Sequence, residues 1–252
     1  MNSDLTVATI DRLIELAPAK VISIGGFDHI DKDKNCTLFI PPMFKMAGVS
    51  TLSGFVQLVE QKVENFGPMT SMVWVRDFDK VFLASIMSDE FGRRMFYACA
   101  EAPKPEREFK FNTYIPQEEF NIGLRTMFVQ DDDLDALVKL AGNIAKQSEV
   151  RQEDDGFAQN VTAKAGVQLV QTVTIKPRVT LKPFRTFLEV DQPAGDYIFR
   201  VRSVETQGNT CALFEADAGR WKLTAMQTIA AWLEQKIKTS AVSEINDLPV
   251  IV

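Results

Sequence analysis

The chain has 252 residues, 46% of them hydrophobic and 25% charged, and carries a formal net charge of −6. This balance belongs to a folded globular protein and excludes extended disorder, and no apolar run approaches the roughly 20 residues of a membrane helix, so no membrane partner is expected. Three cysteines, Cys36, Cys99 and Cys211, are far apart and lack CxxC spacing, which argues against a disulfide framework or a zinc site and for buried thiols.

The opening residues Met1-Asn2-Ser3-Asp4-Leu5 have neither the basic nor the apolar region of a secretory signal, so a cytoplasmic location is expected. Val7, Ile10, Leu13 and Ile14 recur at helical spacing and predict a helix ending near Pro18. Residues 21–24 and 37–40 read as strands stopped by Gly25-Gly26 and Pro41-Pro42, with a polar loop between them. Ser50 or Thr51 caps a helix that places Leu52, Phe55, Val56, Val59 and Val63 on one face and ends at Gly67-Pro68. Residues 71–75, 80–87 and 93–100 are β-rich runs separated by short polar turns, the pattern of an antiparallel meander. Residues 109–114 add a further strand, and Pro116 opens a helix at Gln117-Glu118-Glu119. Asp131 or Asp132 caps the next helix, whose apolar face holds Leu134, Leu137, Val138, Ala141 and Ile144.

Residues 148–156 combine dense charge with little apolar content and read as a linker or exposed turn. The expected organisation is an N-terminal α+β region over 1–148, a linker over 149–156 and a β-rich region with a C-terminal helix over 157–252, or one integrated domain. Strand parity puts Val167, Leu169, Val173 and Ile175 on one face. Continued past Pro177, it keeps Val179 and Leu181 inside and turns Lys176, Arg178, Thr180 and Lys182 outward. Tyr197, Phe199 and Val201 alternate with Arg200 and Arg202, and Gln207-Gly208-Asn209 offers a hairpin turn to a return strand holding Cys211, Leu213 and Phe214. A last helix over about 222–238 is expected to bury Leu223, Met226, Ile229, Leu233 and Ile237. Strands clustered by short turns, with separate amphipathic helices, give an α+β fold class with antiparallel sheets and a C-terminal β-rich half ending in a helix.

The order of these elements carries a resemblance. The helix over 51–63, the strands over 81–100 and the segment Ile115-Pro116-Gln117-Glu118-Glu119-Phe120 belong to it. So do Asp154-Asp155-Gly156, Val179-Thr180-Leu181-Lys182-Pro183-Phe184, and Ile198-Phe199-Arg200-Val201-Arg202 with the strand and helix that follow. The pattern resembles the YfdQ-like family of phage and prophage proteins, a domain of unknown function. It departs from that pattern at Cys211-Ala212-Leu213-Phe214-Glu215, where a more aromatic run is usual. The resemblance implies a phage-type intracellular protein, of a kind carried near replication or recombination genes, and supplies no catalytic residue.

Charge is segregated along the chain. Between Gly156 and Leu188 stand Lys164, Lys176, Arg178, Lys182 and Arg185 and no carboxylate, preceded by Asp131-Asp132-Asp133 and Glu153-Asp154-Asp155. Lys176, Arg178, Lys182, Arg185, Arg200 and Arg202 are therefore the candidate anion-binding or partner-binding residues, with Phe184 or Tyr197 to stack a base; the bland alternative is a solvated strand face. His29 lies among aspartates, and Asp31, Asp33 and Asn35 copy the start of a calcium loop. Cys36 stands where that loop needs glycine and Pro42 where it needs glutamate, so no metal is expected. No Gly-x-Ser-x-Gly elbow or phosphate-binding glycine loop occurs, no cofactor is expected, and the balance leans against an enzyme. The expected function is binding and homo-oligomeric assembly without catalysis, acidic patches of one subunit meeting the basic stripe of another, with Met43, Phe44 and Met46 as an arm into a neighbour. The alternatives are sequestration of a small anionic nucleotide by the basic β face and, against the net charge of −6, a DNA replication or recombination accessory role.

Overall fold

The structure, a computed structural model, describes residues 20–24, 27–32, 35–38, 45–61, 66–89, 91–145, 149–154, 159–165, 168–175, 178–204 and 208–252. The chain divides into two compact units, the smaller built from Met1–Lys45 with Asp89–Arg93 and the larger from Met46–Ser88 with Arg94–Val252. The compact units thus divide at 45/46 and around 89–93, whereas residues 149–154, read as linker, form a strand.

In the smaller unit β1 (Lys20–Ile24), β2 (Phe27–Lys32) and β3 (Asn35–Leu38) form an antiparallel sheet in that order. The polar loop expected between two strands is itself a strand, because Ile22↔His29↔Leu38 and their neighbours complete a ladder that polar side chains do not prevent. The helix expected around Val7–Leu13, the strand end at Phe39 and the arm at Met43 and Phe44 lie outside the described residues. Asp89 accepts hydrogen bonds from the N–H groups of Phe91 and Arg93 at 2.9 and 2.7 Å, which shapes the turn.

The larger unit contains two helix-covered sheets, each with its own core. The first has strand order β15-β5-β6-β7-β4, using β4 (Ala47–Val49), β5 (Ser71–Asp77), β6 (Lys80–Ser88), β7 (Arg94–Glu101) and β15 (Val250–Ile251). The meander β5-β6-β7 is antiparallel as its runs predict, and the short edge strands β4 and β15 add on in parallel. Helices α1 (Leu52–Glu60) and α4 (Arg220–Lys238) share a core with one face of this sheet, burying Leu52, Phe55 and Val59 with Ile229, Leu233 and Ile237 against Val73, Val75, Val81 and Leu83. Thr51 caps α1, its Oγ1 accepting from the Gly54 N–H at 3.1 Å. The helix stops at Glu60, short of the expected Gly67-Pro68, and Val63 lies outside the described residues. Leu223 is 53% exposed, contrary to expectation, because the buried face of α4 runs through Trp221, Ala225, Ile229 and Leu233.

The second sheet has the order β12-β13-β14-β8, using β8 (Ile115–Pro116), β12 (Val179–Leu181), β13 (Gly195–Val204) and β14 (Gly208–Glu215). Helices α2 (Gln117–Met127) and α3 (Asp132–Ala145) pack Phe120, Leu124, Leu134 and Leu137 against Leu181, Phe199, Val201 and Leu213. Asp131 caps α3 through a hydrogen bond from the Leu134 N–H at 3.0 Å. Residues 109–114 form no strand. Phe109 and Phe111 both turn into this core, their rings 4.9 Å apart, and Asn112 adopts a left-handed φ of 59° where the chain reverses.

A third sheet, β11-β10-β9, consists of β9 (Glu149–Asp154), β10 (Gln159–Ala165) and β11 (Gln168–Ile175). It is separate from the sheet holding β12, so the parity predicted to run from Val167 through Leu181 does not describe one continuous strand. A register shift opposite Ala163/Lys164 also interrupts β11 between Leu169 and Gln171.

Residues 182–194 tie the two cores of the larger unit together. Phe184 N–H donates to the Met127 carbonyl and Val129 N–H to that of Lys182, each at 2.9 Å, while Phe187 and Val190 enter the first core. The buried Gln192 amide organises the bend, accepting from the N–H groups of Arg185 and Thr186 at 2.9 and 3.3 Å and donating to the carbonyls of Phe187 and Val190 at 3.0 and 3.3 Å.

Cys211 is fully buried in the second core, and burial pushes its thiol from an ordinary 9.0 up to about 12. Burial also raises the Tyr197 phenol above its ordinary 10.0, a rise that Arg185 opposes. Above pH 9.0 the unfolded chain loses the Cys211 proton that the folded chain keeps, so this contribution is full below that pH and is lost as pH rises toward about 12. The unfolding free energy obtained from urea titrations should fall over that range, by about 1.4 kcal/mol per pH unit per group. Cys211→Val should remove its own share of the fall that begins before Tyr197 joins it, leaving the share of Cys99, whose thiol is also raised by burial and by Glu101.

Candidate functional site

Alternation along β13 fixes two faces. Tyr197, Phe199 and Val201 are buried against α2 and α3, and Ile198, Arg200 and Arg202 point to the other side. On β14 the partners of those outward residues are Phe214, Ala212 and Thr210. Tyr114, just before β8, borders the same face: the Arg202 guanidinium lies 4.6 Å over its ring, and Phe214 meets it edge-on at 5.8 Å. Arg200 is half-buried and donates from Nη1 to the Phe199 carbonyl at 3.3 Å, whereas Arg202 is exposed. Among the described residues neither arginine forms an ion pair.

This arrangement differs from the predicted stripe in membership. Arg178 is exposed just before β12, and Lys182 is exposed with its Nζ 3.8 Å from an Asp131 carboxylate oxygen. Lys176 lies outside the described residues. Arg185 is not on the face at all. After Lys182 the chain leaves the sheet, and the Arg185 guanidinium enters the interior between Phe111 and Trp221, each ring centroid 4.4 Å away. Its Nη2 donates to Glu215 Oε1 at 2.8 Å with only 11% of the side chain exposed, and Glu215 stands beside Asn112, whose Oδ1 accepts from the Glu215 N–H at 3.0 Å. Tyr197, expected to stack a base, is 1% exposed and stacks on Phe111 at 5.3 Å. Phe184 is 44% exposed.

The aromatic partners of the arginine face are therefore Tyr114 and Phe214. Strand parity could have placed both, since Tyr114 alternates with the buried Ile115 and Phe214 with the buried Leu213. Chemically the face offers two guanidinium groups without an ion-pair partner among the described residues, one of them over a ring, which suits a phosphate with an adjoining planar base. His29 occupies a strand position, its Nδ1 3.0 Å from the Phe27 carbonyl oxygen, and no cluster of three or more metal-ligating side chains occurs among the described residues. No protein family, curated protein or solved structure matches the chain.

The two kinds of arginine separate by mutation. Arg185→Ala should cost about 2–3 kcal/mol, at the low side of breaking a buried ion pair because Glu215 keeps about a third of its side chain in water. Arg202→Ala should change stability by no more than about 0.5 kcal/mol. Urea unfolding of the two variants checks both values.

Proposed function

We propose that this protein binds a phosphate-bearing nucleotide on the outer face of β13 and β14, without turning it over. The observation that supports this reading is the pair Arg200 and Arg202, side by side on one strand face, free of ion pairs among the described residues and bordered by Tyr114 and Phe214. Guanidinium groups grip phosphate oxygens through paired N–H donors, and an aromatic neighbour takes the base. An overall charge of −6 disfavours non-specific attachment to polyanions and is compatible with a local grip. Sequestration of a nucleotide signal in the phage or prophage setting implied by the YfdQ-like resemblance belongs to the same proposal.

A panel of linear and cyclic nucleotides added to the full chain should include one that raises the melting temperature. At a hundred times its Kd such a ligand stabilises by about 2.7 kcal/mol, on the order of 5 °C for a chain of this size. Arg200→Ala and Arg202→Ala should each abolish the shift. A flat response across the panel overturns the reading.

Homo-oligomeric assembly is proposed alongside it, because the acidic strand β9 forms an edge of its sheet and so offers backbone groups next to negative charge. Native mass spectrometry should give several times the mass of one chain, falling at high salt. A single-chain mass at micromolar concentration overturns assembly.

A further inference from the structure

The sheet β15-β5-β6-β7-β4 has a face opposite the one shared with α1 and α4, and that face carries a row of rings. Trp74 on β5 and Phe82 on β6 are directly opposed across the ladder, and Phe82 meets Phe96 on β7 at 5.3 Å. All three are half-buried. Arg76, exposed, lays its guanidinium over both Trp74 and Phe82, 5.6 and 5.9 Å from the ring centroids, and forms no ion pair among the described residues. Phe96 reaches this face through a bulge. Leu83 pairs with Ala98 but Ala84 with Phe96, so Tyr97 is the extra residue and packs toward the core instead. At the hairpin end of the row Arg76, Asp77, Phe78, Asp79, Lys80 and Phe82 line an open depression of about 440 Å³.

We propose that this face is a stacking platform for single-stranded nucleic acid. The inference rests on the nucleotide reading for its ligand chemistry and on different residues for its geometry. Rings on three adjacent strands match successive unpaired bases, whose π-faces are hidden in a duplex, and Arg76 supplies a cation for a phosphate between them. A cationic track is not what holds the strand: Lys80 is engaged by Glu101 at 3.1 Å, and Asp77 and Asp79 stand at the depression. Binding should therefore depend weakly on salt, with a logarithmic slope near about −0.7 for the one phosphate that Arg76 neutralises.

The test titrates the full chain with oligo-dT while following tryptophan emission and the anisotropy of a labelled strand. Oligo-dT should quench emission and the matching duplex should not. Trp74→Phe should keep binding but lose the quench, since Trp221 and Trp232 lie elsewhere in α4. Phe96→Ala should weaken binding by about 5- to 150-fold, the loss of one stacked base. Arg76→Gln, a surface change that leaves the rings in place, should weaken it and flatten the salt slope. No quench and no anisotropy change overturns the proposal. Binding lost on Arg200→Ala yet untouched by Phe96→Ala and Arg76→Gln also overturns it and leaves the nucleotide reading standing, whereas failure of nucleotides and oligo-dT together removes both. An emission change with anionic vesicles but not with oligo-dT assigns the face to a membrane surface and likewise overturns it.

Discussion

The buried guanidinium of Arg185 is the constraint on which the larger unit depends. Removing that charge from water is costly, and the cost is offset by Glu215 at 2.8 Å and by the faces of Phe111 and Trp221. Arg185 and its three partners come from different places: the bend after β12, the end of β14, the reversal at residue 112 and the first turn of α4. Trp221 also meets Phe78 at 4.9 Å, and the Thr186 hydroxyl donates to the Phe78 carbonyl, so the β5-β6 turn joins the same knot. One ion pair in a ring of aromatics thereby holds the helix–sheet layer of the first core against that of the second.

Crowding around this knot leaves its mark on the backbone. A Cβ at Gly195 would stand 2.8 Å from the Tyr197 hydroxyl, so the start of β13 is glycine because a ring tip occupies the space of a side chain. Tyr197 is thereby kept inside, which leaves Arg200 and Arg202 to share their surface with Tyr114 and Phe214.

Much of this architecture was legible in the sequence. Apolar spacing located α1, α3 and α4, Pro116 marked the start of α2, a threonine and an aspartate marked the starts of α1 and α3, and β-rich runs located the meander and the β13-β14 hairpin. What failed was inference from polarity and from unbroken parity. The polar residues of β2 and β9 looked like loops because their strands are held by ladder partners that no local pattern reveals. Arg185 looked like a surface cation because its carboxylate and rings lie far away in the chain, at Phe111, Glu215 and Trp221. The arginines of β13 were placed correctly because the alternation there is uninterrupted. Both faces thus bear a guanidinium over a ring, while acidic residues cluster at the start of α3, at the β5-β6 turn and along β9.

The bulge in β7 adds a ring to the core side without disturbing the row. With Tyr97 as an extra residue, Phe96 keeps its place opposite Ala84 on the side of Phe82, while Tyr97 packs toward the first core. Were Tyr97 missing, the ladder would run on regularly with Phe96 still opposite Ala84, so the ring row would persist and the core alone would lose a ring. One strand thereby serves two surfaces, and in a related chain the length of this strand would report on the core and not on the row.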